Sequence, residues 1–373
     1  MPRLPLPIAL AALLPALLAG CGESATPPPP PLSETALAAV KQSPGAPREK
    51  LARAIDALFT RDDIGETRAV LVLHAGQVAA ERFAEPYDGK TRFVGWSMSK
   101  TITGVMIGML VADGRLDLDD SPPIDTWQRP GDPRGEITLR QLLQMRSGLR
   151  HDEAGDPPYE SSEVRMLFLD GRDDMARWAE AQPLAHEPGR VHQYSTNTTT
   201  ILADIAARVL APGGSPDARR RAVGEFLKAR LFDPLGMSSA TPEYDTAGTM
   251  IGGSLIHASL RDWGTFGELL RHGGSHEGVQ LVPRGWVKFM ESPSPRAPDY
   301  GAQLWLNKPS GTDREVLFAQ RGPADLVGMV GHLGQYVLVS PSLQLTVVRL
   351  GKTDGDDREA LEDALADVVA AYR

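Results

Sequence analysis

Gly95-Trp96-Ser97-Met98-Ser99-Lys100-Thr101 opens an apolar run that continues to Asp113, and the rest of the chain is read outward from it. Ile102, Val105, Met106, Met109 and Leu110 recur at i, i+3, i+4, i+7 and i+8, one face of a buried helix. Gly114 stops it. The spacing predicts a helix over Ser97 to Asp113, with Ser97 and Lys100 on one face of its first turn. A serine hydroxyl is a poor nucleophile until a neighbour takes its proton. A lysine amine can take it when burial or a nearby cation lowers its pKa. The first-turn N–H groups add partial positive charge where an oxyanion would form. Rival machinery is missing from the sequence. Residues 95–99 fall one glycine short of a Gly-x-Ser-x-Gly elbow. Cys21 is the only cysteine, and His272 and His276 have no evident third ligand. No metal or other cofactor is expected.

Upstream, Arg3 precedes an apolar segment, Ile8 to Leu18, too short for a permanent membrane helix. Leu18-Ala19-Gly20-Cys21 then resembles a bacterial lipobox. Residues 1–20 are expected to be a lipoprotein signal peptide and Cys21 the acylated residue. That implies a lipid-anchored protein of the bacterial cell envelope, on the periplasmic side of the outer membrane, touching membrane through its N-terminal lipid only. Residues 21–47, with Pro27 to Pro31 consecutive, read as an extended tether. The folded domain is expected over 48–373.

The chain carries 39 Lys+Arg and 48 Asp+Glu. Removing residues 1–20 leaves 38 against 48, an acidic balance that argues against nucleic acid as a partner. The one basic cluster, Arg219-Arg220-Arg221, reads as a solvated helix face.

Periodicity places helices at about Arg48–Phe59, Thr138–Met145, Asn197–Leu210, Leu260–Arg271 and Glu359–Tyr372. It places strands at Ala69–His74, Val78–Phe83, Gly301–Leu306, Val316–Ala319, Tyr336–Ser340 and Gln344–Leu350. Strands at both chain ends with a helical middle imply one sheet built from the ends, a second lobe against it, and a cleft between them.

Two further elements fit that cleft. Tyr194, in Tyr194-Ser195-Thr196-Asn197, precedes a helix; beside a lysine cation a phenol can be acidified enough to move protons. Gly331-His332-Leu333-Gly334-Gln335 opens a late strand. Its glycines would let backbone approach a substrate closely, with the Gln335 N–H as second oxyanion donor beside that of Ser97.

Ser97-x-x-Lys100, Tyr194 and His332-x-Gly334 resemble, in order and spacing, the motifs of serine hydrolases related to class C β-lactamases and penicillin-binding proteins. Leu142 to Gly148, Glu187-Pro188-Gly189, Pro234 to Met237 and Leu260 to Trp263 are similar to further blocks of that family. The nearest flavour is the 6-aminohexanoate-dimer-hydrolase-like branch. The resemblance implies an α+β, β-lactamase-like fold, with an antiparallel sheet flanked by helices and a mainly helical lobe. It implies an acyl-enzyme on Ser97, with Lys100 and Tyr194 sharing the base and acid work in an order left open. His332, Gly334 and Gln335 would contact substrate. Two departures stand out: Thr196 replaces the asparagine that contacts the β-lactam acylamide, and His332 replaces the lysine that holds its carboxylate. Both favour a small ester or unactivated amide. A β-lactamase or D-Ala peptidase-like activity is the alternative within the class, and a non-catalytic envelope binding lipoprotein the alternative outside it.

Overall fold

The computed structural model describes residues 31–373. The expected signal peptide and Cys21 lie outside these residues. The expected tether is corrected at its C-terminal end. Ser33 caps a short helix, Glu34–Ala38, by accepting the Ala36 N–H at 3.1 Å. Ala36 and Val40 are buried, and Lys41 N–H donates to Ala79 O at 2.9 Å. Packed structure thus begins near Leu32 rather than Arg48. The physical reason is an edge: this segment lies along the outermost strand, Gln77–Phe83, where Val40 bridges to Ala80, and covers backbone groups that would otherwise face water unpaired.

The main sheet has six antiparallel strands in the order Gln77–Phe83, Glu66–His74, Leu345–Lys352, Gln335–Ser340, Val327–Gly331 and Trp305–Leu306. It is assembled from the two chain ends, as the distribution of strand patterns implies. Alternate residues serve two cores. Ala69, Leu71, Val337, Val339, Val348 and Leu350 face a large core shared with the Leu260–Arg271 helix and the helical middle of the chain. Val70, Val72, Tyr336, Leu338 and Val347 face a smaller core under the helices Arg48–Thr60 and Arg358–Ala370. Burial on both faces explains why these strands read as continuous apolar runs.

The strands expected between residues 301 and 319 are corrected. Val316–Ala319 is irregular, and Gly301–Leu306 contributes only Trp305–Leu306. The strand beside it is Val327–Gly331, whose glycines hide its β character. Gly328 leaves room for Leu317, since a Cβ there would lie 2.9 Å from Leu317 Cδ2. Leu317 and Phe318 are therefore buried as plugs against the sheet, not as sheet residues.

In the helical half, the Ser99–Ala112 helix is buried on every side through Leu110 rather than along one stripe. Its hydroxyls are satisfied inside: Thr101 donates to Gln303 O at 2.8 Å and Thr103 to Gly252 O at 2.9 Å. The Thr196–Leu210 helix packs beside it, capped by Ser195, whose Oγ accepts the Thr198 N–H at 3.1 Å. Arg219 departs from the solvated face expected of it: it turns inward to the buried Asp204, while Arg220 pairs with Asp217 at the surface.

Candidate active site

Ser97 lies in a tight 3₁₀ turn, Trp96–Met98, which feeds into the Ser99–Ala112 helix. Trp96 is held at φ +47°. A bulky residue rarely adopts this left-handed conformation, and such strain gathers at functional sites. The turn is pinned from below, where Ser99 Oγ accepts the Ile256 N–H at 3.1 Å. Ser97 itself remains partly exposed.

Lys100 is 1 % exposed. Its Nζ donates to Ser97 Oγ at 2.8 Å, Thr196 Oγ1 at 2.7 Å and Gly253 O at 2.9 Å. All three ammonium donors have acceptors, so the side chain is fixed. Gly253 makes this possible, because a Cβ there would lie 2.9 Å from Thr196 Cγ2. Burial pushes the Lys100 amine below its ordinary value, and the charges of Glu153 and Glu163 oppose that push.

Those two glutamates were not anticipated. Glu153 sits in the loop after the Leu139–Leu143 helix, and Glu163 in the first turn of the Ser162–Phe168 helix. Glu153 Oε1 accepts from Thr196 Oγ1 at 2.6 Å and lies 4.0 Å from Lys100 Nζ. Glu153 Oε2 accepts the Thr196 N–H at 2.6 Å. Glu163 Oε1 stands 3.4 Å from Thr196 Oγ1. Burial, reinforced by the neighbouring Glu153 charge, pushes the Glu163 carboxyl up to about 7. Thr196, read in the sequence as a lost asparagine, is the hub joining the lysine to both acids.

Tyr194 borders the same space. Its ring centroid lies 4.9 Å from Lys100 Nζ, stacks on Trp305 at 5.2 Å, and meets Tyr300 edge-on at 5.8 Å. The expected acidified phenol is not found. Burial pushes the Tyr194 hydroxyl well above its ordinary value and the Glu153 charge adds to this, while a hydrogen bond with Ser97 pulls the other way.

The late-strand residues divide. Gly331 abuts the serine turn, since a Cβ there would lie 2.3 Å from Gly95 O. The next residue, His332, is exposed and presents its ring edge-on to Trp96 at 5.4 Å. Partial burial and the Arg358 charge hold its imidazole below the usual range. Among the described residues, the turn and loop backbone hydrogen bonds include none from the His332 N–H. Gly334 and Gln335 do not join the cluster. Leu333 at φ +59° and Gly334 at φ +76° make a hairpin turn that needs glycine at its second position. A Cβ on Gly334 would meet Leu361 and Arg349 on the far side of the sheet. The Gln335 side chain braces this turn, donating to His332 O at 3.1 Å, Leu333 O at 3.0 Å and Gly351 O at 2.7 Å. The strand end facing the serine is therefore Gly331-His332, three residues before the donor expected from sequence.

A buried lysine locked onto a serine at a strained turn, a tyrosine alongside, and a glycine-ended strand beside a six-stranded antiparallel sheet can be compared with known proteins. The sequence matches the Beta-lactamase family over residues 65–372. The chain belongs to the β-lactamase family.

This β-lactamase-family chain is 24 % identical to a 6-aminohexanoate-dimer hydrolase from Paenarthrobacter ureafaciens over 339 residues, covering 85 % of this chain and 82 % of the relative. Its fold is similar to that of a family VIII carboxylesterase, with a TM-score of 0.60 at 16 % identity over 85 % of this chain and 96 % of the other. It is likewise similar to a D-stereospecific amidohydrolase from Streptomyces sp., with a TM-score of 0.57 at 20 % identity, over 84 % of this chain and 98 % of the other. The α+β, β-lactamase-like architecture read from the sequence is the one observed, and members of this family are hydrolases.

Proposed function

We propose that this chain is a serine hydrolase that cleaves a small ester or amide through an acyl-enzyme on Ser97. The observation that carries the proposal is Lys100, buried, depressed in pKa and 2.8 Å from the Ser97 hydroxyl. In this reading, neutral Lys100 takes the Ser97 proton as Oγ attacks the substrate carbonyl. The Ser97 and His332 N–H groups receive the oxyanion. Tyr194, whose phenol is held protonated, donates to the leaving group. Water then hydrolyses the acyl-enzyme by the reverse sequence of transfers. This assigns Lys100 as base and Tyr194 as acid, an order the sequence left open.

Thr196 and His332, in place of an asparagine and a lysine, weigh against β-lactams, because an imidazole held below its usual range stands where the resemblance puts the carboxylate-holding lysine. The relatives' names, a dimer hydrolase, a carboxylesterase and an amidohydrolase, fit ester or amide chemistry. The test is labelling with a fluorophosphonate probe, followed by a hydrolysis screen of p-nitrophenyl esters, short amides and nitrocefin. Wild type is expected to take up label and to turn over esters or amides faster than nitrocefin, with Ser97→Ala silent in both assays. Equal labelling of wild type and Ser97→Ala sinks the enzyme reading in favour of a binding lipoprotein. Envelope anchoring through Cys21 is a separate proposal. It predicts partition of the full chain into detergent when expressed in bacteria, lost in Cys21→Ala.

A further inference from the structure

We infer that Thr196 and Glu153 form a proton path that sets the charge on Lys100, with Glu163 as the second carboxyl acting on the same lysine. All three are positioning residues, since they act through Lys100, and the inference rests on the reading of Lys100 as the base.

The argument starts from a conflict inside the site. Lys100 serves as a base only when neutral, yet all three of its donors are engaged by oxygen and two carboxylates favour its ammonium form. The proton therefore needs somewhere to go that does not leave a charge stranded in a buried pocket. Thr196 supplies the link. Its Oγ1 accepts from Lys100 Nζ at 2.7 Å and donates to Glu153 Oε1 at 2.6 Å. A hydroxyl that accepts on one side and donates on the other can pass a proton without moving. The Lys100 N–H proton bonds to Thr196 Oγ1 as the Thr196 O–H proton bonds to Glu153 Oε1. The products are a neutral amine, an intact hydroxyl and a neutral carboxylic acid, so charge and atoms balance. Rotation about the Cε–Nζ bond then turns the amine lone pair toward Ser97 Oγ, from which it takes the proton. Glu153 is suited to the terminus because its side chain is 25 % exposed, whereas that of Lys100 is 2 % exposed.

Every element packed around Lys100 contributes to this balance. Ser97 lies on its own turn, Tyr194 and Thr196 at the start of the neighbouring helix, Glu153 in its loop, Glu163 on its short helix, and the neutral Gly253 carbonyl opposite. Lys100 is the cation among them, while Arg358 acts on Tyr194 from farther off.

Two readouts test the path. The first is titration of the Lys100 amine by side-chain NMR, which needs no turnover. Removing a carboxylate removes stabilisation of the ammonium, so Glu163→Gln and Glu153→Gln are each expected to lower the Lys100 pKa by about one unit. The second is the pH profile of fluorophosphonate labelling. Its rising limb, which follows loss of the Lys100 proton, is expected to move to lower pH in Glu163→Gln. Thr196→Val, which keeps the shape and removes the hydroxyl, is expected to slow labelling about tenfold and alter the limb, while Thr196→Ser returns it to within about twofold of wild type. A purely structural role predicts slower labelling with an unmoved limb. The inference is overturned if the Lys100 titration is unchanged in both glutamine variants, or if Thr196→Val keeps the wild-type limb. Absence of Ser97 labelling in wild type would instead overturn the hydrolase reading, and the NMR titration would still decide the path.

Discussion

One helix, Thr196–Leu210, carries one buried ionic cluster at its start and another from its middle to its last turn, and the two are built on opposite principles. At its start, one lysine meets two glutamates through a threonine hydroxyl. About 12 Å further along the axis, Asp204 accepts from Arg208 Nε and Arg219 Nη2, and Arg208 Nη2 bonds both Glu180 oxygens at 3.1 Å. The Asp204 and Glu180 side chains are only 3 % and 5 % exposed. Two guanidiniums face two carboxyl groups there, in planar, multiply bonded contacts, and a guanidinium does not give up its proton. At the other end a lysine, two hydroxyls and partly exposed groups leave a proton free to change owner. The first arrangement holds helices together; the second can do chemistry.

The comparison breaks most decisively at Lys100. Lys100→Met is expected to lower kcat/KM by about 10²–10⁴-fold, while the denaturant midpoint, measured at pH 6 where Glu163 keeps its proton, moves far less than for any change at Asp204. Next comes Asp204→Ala, which takes the paired carboxylate from Arg219 and leaves Arg208 with Glu180 alone. It should cost about 3–5 kcal/mol of stability in urea unfolding, with the pH profile of Ser97 labelling unmoved in the folded fraction. A stability loss at Lys100 equal to that at Asp204 would erase the distinction between the clusters.

The smallest effect sharpens it. Burial, then the Asp204 charge, pushes the Glu180 carboxyl up to about 8, while the two arginines hold Asp204 low. Between the ordinary glutamate value of 4.5 and about 8, the folded chain keeps a proton that the unfolded chain has lost. Stability from this group is thus fully present below the lower value and lost as pH rises through the upper one. Glu180→Gln should flatten that part of the pH–stability curve in thermal melts, without altering the labelling profile.

Much of the site's first layer was legible because it is local. Ser97 and Lys100 are three apart on one continuous helical path, and the apolar spacing after them fixed that path. Tyr194 was legible through its position before a capped helix. Glu153 and Glu163 were not, since nothing in their flanking residues marks a carboxylate whose hydrogen-bond partner, Thr196, lies 43 and 33 positions away. The late strand shows the same limit. Gly331 to Gln335 was recognised as important, but the donor was placed on Gln335 because sequence order cannot show which side of a hairpin faces the serine. A clue was present in the second glycine: Gly334 fits the left-handed second position of a two-residue hairpin turn, which puts residues 333–334 in the turn rather than at the substrate.

The sequence by itself determined the helix behind the serine and the Ser97–Lys100 pair, because periodicity and short spacing act within a few residues; the β-lactamase-like architecture was implied by the resemblance of its motifs. Tertiary structure alone decided how the pair is charged. Burial depresses Lys100 and raises Glu163, and Thr196 joins them. Desolvation and Coulomb forces depend on distances in space, which only the packed chain defines.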